Sequence, residues 1–267
     1  MRRHSAAVRI THWTNVLCLS FLLLTGLQIF NAHPRLYWGR YGADADKAFV
    51  AIGSAQHGGA LQGFLEIGPM RIETTGVLGV SEESGAATAR AFPTWLTIPS
   101  YHDLGAGRRW HFFFAWLLVV NGLIYLAHGA WRGHFRRDLL PSGGQLAPRH
   151  LWQEVRDHAR LRFATGEASR RYNVLQKLSY LAVVFGLLPL MVLTGLTMSP
   201  GLNAALPFMP DLLGGRPSAR TLHFLCASLL VLFVVVHVAM VIASGLWNNL
   251  LSMLNGRYAI TEDKATP

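Results

Sequence analysis

Apolar residues dominate four windows of the chain, Ile10 to Phe30, Trp110 to Trp131, Val174 to Met198 and Thr221 to Leu246. Each reaches the roughly 20 residues that an α-helix needs to cross the hydrocarbon core of a bilayer. The pattern predicts an all-α integral membrane protein, a four-helix transmembrane bundle forming one domain over residues 1–267. Polar chain divides the windows unequally. The long external loop between the first two, residues 32–108, is expected to form short helices and turns packed as a cap that offers a docking surface, because a structureless loop of that length is unusual. Between the second and third windows Leu151, Val155, Ala159 and Phe163 recur every four residues, which predicts a basic amphipathic helix over about 149–163 lying on membrane lipids. Pro189 is expected to kink the third helix.

Composition and charge narrow the class. The chain is 51% hydrophobic and 14% charged, against roughly 25% charged for a soluble domain. Its net charge of +10 would suit nucleic acid, but the basic residues divide by side of the membrane, which excludes that class. With the amino terminus inside, the cytoplasmic segments hold fifteen Lys/Arg and six Asp/Glu, and the external ones nine and eight. Arg132, Arg136, Arg137, Arg149, Arg156, Arg160, Arg162, Arg170, Arg171 and Lys177 dominate that asymmetry, so both termini are expected in the cytoplasm. The first window follows a positive segment, yet Asn31-Ala32-His33 is a poor cleavage site, and the helix is expected to be retained. Cys18 and Cys226 lie in different windows and are not expected to pair.

The candidate chemistry lies in histidines placed inside apolar chain, where ionisable groups are costly and usually functional. His223 and His237 are fourteen residues apart in the fourth window. On a helix that spacing is a rise of roughly 21 Å and falls about 40° short of whole turns, so both imidazoles leave one face at different depths. His111 lies at the depth of His223, near the external boundary, and His12 lies at the depth of His237. His128 is also at the inner depth, rotated about 100° from His111, and is the alternative partner for His237. Neutral imidazoles from facing helices suit a haem held by two axial ligands. The chain lacks C-x-x-C-H, so such haems would be b-type. Two haem b groups are expected, one between His111 and His223 and one between His12 and His237, with Gly26, Gly122 and Gly195 leaving room for the porphyrin. Arg108, Arg109 and Arg220 outside, and Arg9 inside, are the cations available to the propionates. Asn173 and Gln176 open the third window as amides that either hydrogen-bond a quinone carbonyl or cap the helix. His33, His57 and His102 are isolated outside, and His134, His150 and His158 belong to the wet inner connection.

Several strings together resemble the bacterial di-haem cytochrome b family. They are Arg9-x-x-His12-Trp13, Arg109-Trp-His111-Phe-Phe-Phe-Ala-Trp116 with Asn121-Gly122 and Tyr125, Tyr172-Asn173-x-x-Gln176, Thr194-Gly195, and His223 with His237. That family includes bacterial cytochrome b561 and the cytochrome subunits of Ni,Fe-hydrogenase, formate dehydrogenase and thiosulfate reductase. The resemblance covers all four windows. It implies a multi-pass protein of the bacterial inner membrane that passes electrons between a quinone near the inner haem and a periplasmic catalytic oxidoreductase subunit, a molybdenum enzyme being one class of partner. It also implies that Asn173 and Gln176 line the quinone pocket. The long segment 32–108 and the extra His128 depart from the compact members. Two other readings stand beside it. A stand-alone superoxide-to-quinone oxidoreductase would use Arg108, Arg109 and Arg220 for steering. A non-redox anchor or transporter would use the histidines for packing or proton movement.

Overall fold

The computed structural model describes residues 4–42, 46–83, 85–160, 162 and 172–258. Helix α1 (Ala6–Phe30) is followed by strands β1 (Arg35–Leu36), β2 (Val50–His57), β3 (Ala60–Ile67), β4 (Met70–Glu73), β5 (Val80–Glu83) and β6 (Ala86–Ala89). Then come α2 (Leu104–Trp131), α3 (Pro148–Ala159), α4 (Val174–Ala182), α5 (Leu188–Thr197), α6 (Pro200–Ala205), α7 (Met209–Leu212), α8 (Arg216–Ala243) and α9 (Leu246–Asn255). Helices α1, α2, α8 and the continuous α4–α5 are the four long and apolar enough to cross a membrane. A π turn, Val183–Leu187, joins α4 to α5 just ahead of Pro189. Proline has no N–H and its ring crowds the carbonyl four residues back, so the helix widens by one residue where the regular ladder fails.

Two expectations are corrected here. The protein is mostly helical but not all-α, and segment 32–108 is neither a loop nor a set of short helices. Among the described residues it carries a four-stranded antiparallel sheet in the order β1-β2-β3-β4 and a two-stranded sheet β5-β6. The physical reason lies in a tight turn. His57 pairs with Ala60 across Gly58 and Gly59, whose φ angles are +58° and +83°. A two-residue hairpin turn of this hand needs positive φ at both places, which glycine adopts without strain. Flanking it, β2 and β3 register from Val50↔Ile67 to His57↔Ala60.

The chain divides into two compact units. One comprises Asn15–Val119 and Leu190–Ala227 and includes both sheets. Its apolar core joins Phe30, Leu36, Ile52 and Ala91, with Phe92 and Phe224 packed against them. Arg90, whose side chain is fully enclosed, anchors the sheets to the end of α1. Its Nη2 donates to Gln28 Oε1 at 2.8 Å and to Thr97 Oγ1 at 2.6 Å, and its Nη1 meets Glu83 at 3.4 Å. Asn31 adds a second tie, its Oδ1 accepting from the Phe92 N–H at 2.8 Å.

The other unit comprises Met1–Thr14, Val120–Pro189 and Ser228–Pro267. Here α9 is latched to the start of α1. The Trp13 indole N–H donates to the Met253 carbonyl at 3.1 Å, and the Arg9 guanidinium donates to the Leu254 carbonyl. Both are last-turn carbonyls of α9, which have no partner inside their own helix. Helix α3 begins with Pro148 at its first turn, where the missing N–H costs nothing. Phe163, the expected end of that amphipathic stretch, lies outside the described residues, as do Arg170 and Arg171.

Candidate functional site

Two pairs of imidazoles face one another, one pair in each unit. His111 on α2 and His223 on α8 have ring centroids 6.3 Å apart with planes at 59°. His12 on α1 and His237 on α8 are 6.5 Å apart at 55°. The helical spacing of fourteen residues thus turns both α8 histidines towards neighbours. The ring facing His237 is that of His12, and His128 lines a cavity of about 550 Å³ with Trp131, Arg132 and Arg137.

The His111–His223 pair is supported the same way on both sides. Thr25 on α1 places its Oγ1 3.0 Å from His111 Nδ1, and Thr194 on α5 places its Oγ1 2.9 Å from His223 Nδ1. The next residue in each case is glycine. A Cβ on Gly26 would lie 3.4 Å from His111 Cε1, and one on Gly195 would lie 3.4 Å from His223 Cε1. Each threonine hydroxyl also donates back into its own helix, Thr25 to the Phe21 carbonyl at 2.6 Å and Thr194 to the Leu190 carbonyl at 2.7 Å. A hydroxyl has one proton to give. With that proton committed, the oxygen accepts from Nδ1–H, and the lone pair of each ring is left on Nε2. One turn away, Phe21 stacks on Phe114 at 4.1 Å and holds α1 against α2.

The His12–His237 pair is held differently. Asn121, buried on α2, donates its amide to the Thr11 carbonyl at 2.8 Å, directly before His12. Trp13 meets the His12 ring edge-on at 5.4 Å, and Phe233 stacks on His237 at 5.8 Å. The Nδ1 of His12 is buried with no hydrogen-bond partner among the described residues.

The cations expected near propionates are placed as follows. Arg9 donates from one Nη to α9 while its Nε is buried without a partner among the described residues, and Arg220 donates to the His33 carbonyl while its guanidinium lies 5.2 Å from the Phe30 ring centre. Arg108 and Arg109 are exposed, Arg108 lying 5.9 Å from the Phe112 ring centre. Asn173 and Gln176 form a reciprocal capping box at the start of α4, with Asn173 Oδ1 accepting from the Gln176 N–H at 2.9 Å and Gln176 Oε1 accepting from the Asn173 N–H at 3.3 Å. The Asn173 amide nitrogen lies 3.0 Å from His158 Nε2. His158 therefore has a structural role that its place in a wet connection does not predict. Thr25, Thr194 and Asn121 are also side chains that the sequence reading left without a role. Their signal is the Thr-Gly pair in two apolar windows and a lone amide in a third.

Residues 3–256 match the family model described as prokaryotic cytochrome b561. The chain belongs to the prokaryotic cytochrome b561 family. Membership makes it a membrane cytochrome of electron transport and implies haem b. A protein of Azospira oryzae named as the protein-methionine-sulfoxide reductase subunit YedZ1 is 37% identical over 138 residues, 52% of this cytochrome and 66% of that relative. The match thus spans just under two thirds of the relative's own length. No solved structure matches the chain.

The imidazole pairs of this cytochrome fit the implied group. Two rings bonded through nitrogen to one metal stand with centres about 6 Å apart, twice a bond of about 2 Å plus a ring radius of about 1 Å. Both pairs, at 6.3 and 6.5 Å, have that spacing. Among the described residues no three His, Cys, Asp or Glu gather into a metal cluster.

Proposed function

We propose that this cytochrome is a di-haem electron-transfer subunit of the bacterial inner membrane, with His111 and His223 as axial ligands of one haem b and His12 and His237 as those of the other. The spacing of both imidazole pairs carries this reading. Haem held between the two imidazoles of a pair would supply a one-electron carrier suited to electron transfer. The chain's own part is to fix the rings. Thr25 and Thr194 hold the proton of each facing imidazole at Nδ1, and Asn121 ties the helix that bears His12. With both termini cytoplasmic, the His111–His223 pair is at the periplasmic side and the His12–His237 pair at the cytoplasmic side.

The diffusible redox partner in this reading is a quinone at the cytoplasmic side. A quinol gives up two electrons and two protons, and the electrons travel singly. The capping box uses the Gln176 carbonyl oxygen, so its amide nitrogen is the group that would donate to a quinone carbonyl, while Asn173 holds the helix start. At the periplasmic side the partner is a catalytic oxidoreductase subunit. The YedZ1 likeness supports a reductase acting on oxidised methionine in proteins, and the family resemblance adds a molybdenum enzyme as the class of partner.

A pyridine haemochrome assay on the purified chain tests the ligation. Two haems per chain are expected, and one or none defeats the reading. Purification with and without a tagged soluble reductase then tests the partner, retention of the reductase being the expected result.

A further inference from the structure

Thr25 and Thr194 act alike from two different helices. Both are fully buried, both commit their protons to a carbonyl one turn back, and both offer only a lone pair to a histidine Nδ1 on a neighbouring helix. His12 in the other pair has a buried Nδ1 without any such acceptor among the described residues. We propose that Thr25 and Thr194 are positioning residues that set the redox potential of the His111–His223 centre and hold it below that of the His12–His237 centre. The proposal rests on the reading that each pair ligates a haem.

The chemistry follows from what an acceptor does to an imidazole. Drawing the Nδ1 proton towards an oxygen leaves the ring richer in electrons, so Nε2 becomes the stronger donor. A stronger axial donor favours the oxidised iron, and the potential falls. In the His111–His223 pair both ligands are strengthened in this way. The hydroxyls are dry, with Thr25 and Thr194 each at 0% exposure, so water does not level the effect. The glycines after them leave room for the rings. With Gly26 and Gly195 each 3.4 Å from a ring carbon, measured from an ideal Cβ, the imidazoles can sit close enough for their Nδ1 atoms to reach the hydroxyls.

The test is a reductive titration of the purified holo-cytochrome, followed by absorbance, for Thr25→Val, Thr194→Val and the double variant. Each single change is expected to raise one midpoint by about tenfold in the reduced-to-oxidised ratio, which is 59 mV for one electron. The double variant should raise it further, and the second midpoint should stay in place. The low-spin ferric electron paramagnetic resonance signal of the same centre should move with it. Thr25→Ser and Thr194→Ser keep the hydroxyl and should hold both midpoints at their original values. Two haems present with neither midpoint moved, or both midpoints moved together, would overturn the proposal. So would a shift in the serine variants. A count below two in the unsubstituted chain would instead remove the ligation reading beneath it.

Discussion

The two histidine pairs have nearly the same spacing but different surroundings. His111 and His223 are each braced by a Thr-Gly pair on a neighbouring helix. His12 and His237 sit among aromatic rings, and only the backbone beside His12 is tied by a side-chain amide, that of Asn121. The first pair has its rings fixed atom by atom, and the second has its helix fixed and its rings packed. Ring separation alone therefore does not define such a site. Hydrogen bonding at the far nitrogen distinguishes two imidazole pairs that the spacing makes alike.

The largest effect expected from breaking this comparison is loss of a whole centre. His223→Ala should remove one haem of two and His237→Ala the other, while His128→Ala, placed with Trp131, Arg132 and Arg137, should keep both. Haem counts with low-temperature spectra check all three. Next come the glycines. Valine at Gly26 or Gly195 forces branched carbon against the imidazole and should lower stability by about 1 to 3 kcal/mol, with a shifted spectrum for the His111–His223 centre. Asn121→Ala unties the Thr11 carbonyl and should cost about 1 kcal/mol, disturbing the His12–His237 spectrum only. The smallest effect is at the latch: Trp13→Phe loses the Met253 hydrogen bond, should cost about 0.5 kcal/mol, and should expose α9 to limited proteolysis.

The four long helices were legible because membrane-spanning length and apolarity are local properties of a sequence. That His223 and His237 leave one face of their helix was legible too, since their fourteen-residue spacing is a matter of helix geometry, while the choice between His12 and His128 as the neighbour of His237 was not. The sheets were not read, although Gly58-Gly59 between two eight-residue runs is a hairpin signal. The burial of β2 does not alternate cleanly, because Ala51 and Ile52 are both enclosed, so a period of two is hard to see in it. The roles of Thr25 and Thr194 were out of reach for another reason. Their partners lie 86 and 29 residues away, and only the folded chain brings those atoms together. The backbone contacts of Arg9 and Arg220 were out of reach too, because a cation near a candidate site has backbone acceptors as well as ligands to choose from. Both donate to carbonyls of distant segments, at Leu254 and His33.

The enclosed guanidinium of Arg90 limits how freely the region between α1 and α2 can be exchanged. A stretch joining two membrane helices is ordinarily a tolerant place for insertion or replacement. Here the charge is keyed to α1 through Gln28, and Asn31 waits for the backbone of Phe92. Trimming residues 46–97 to a short link would strand two amides at the end of a helix. A foreign cap would have to bring its own donor for Gln28 and an edge for Asn31. The cap and α1 are therefore inherited together, and chimaeras of this cytochrome should be cut before Gln28 and not after it.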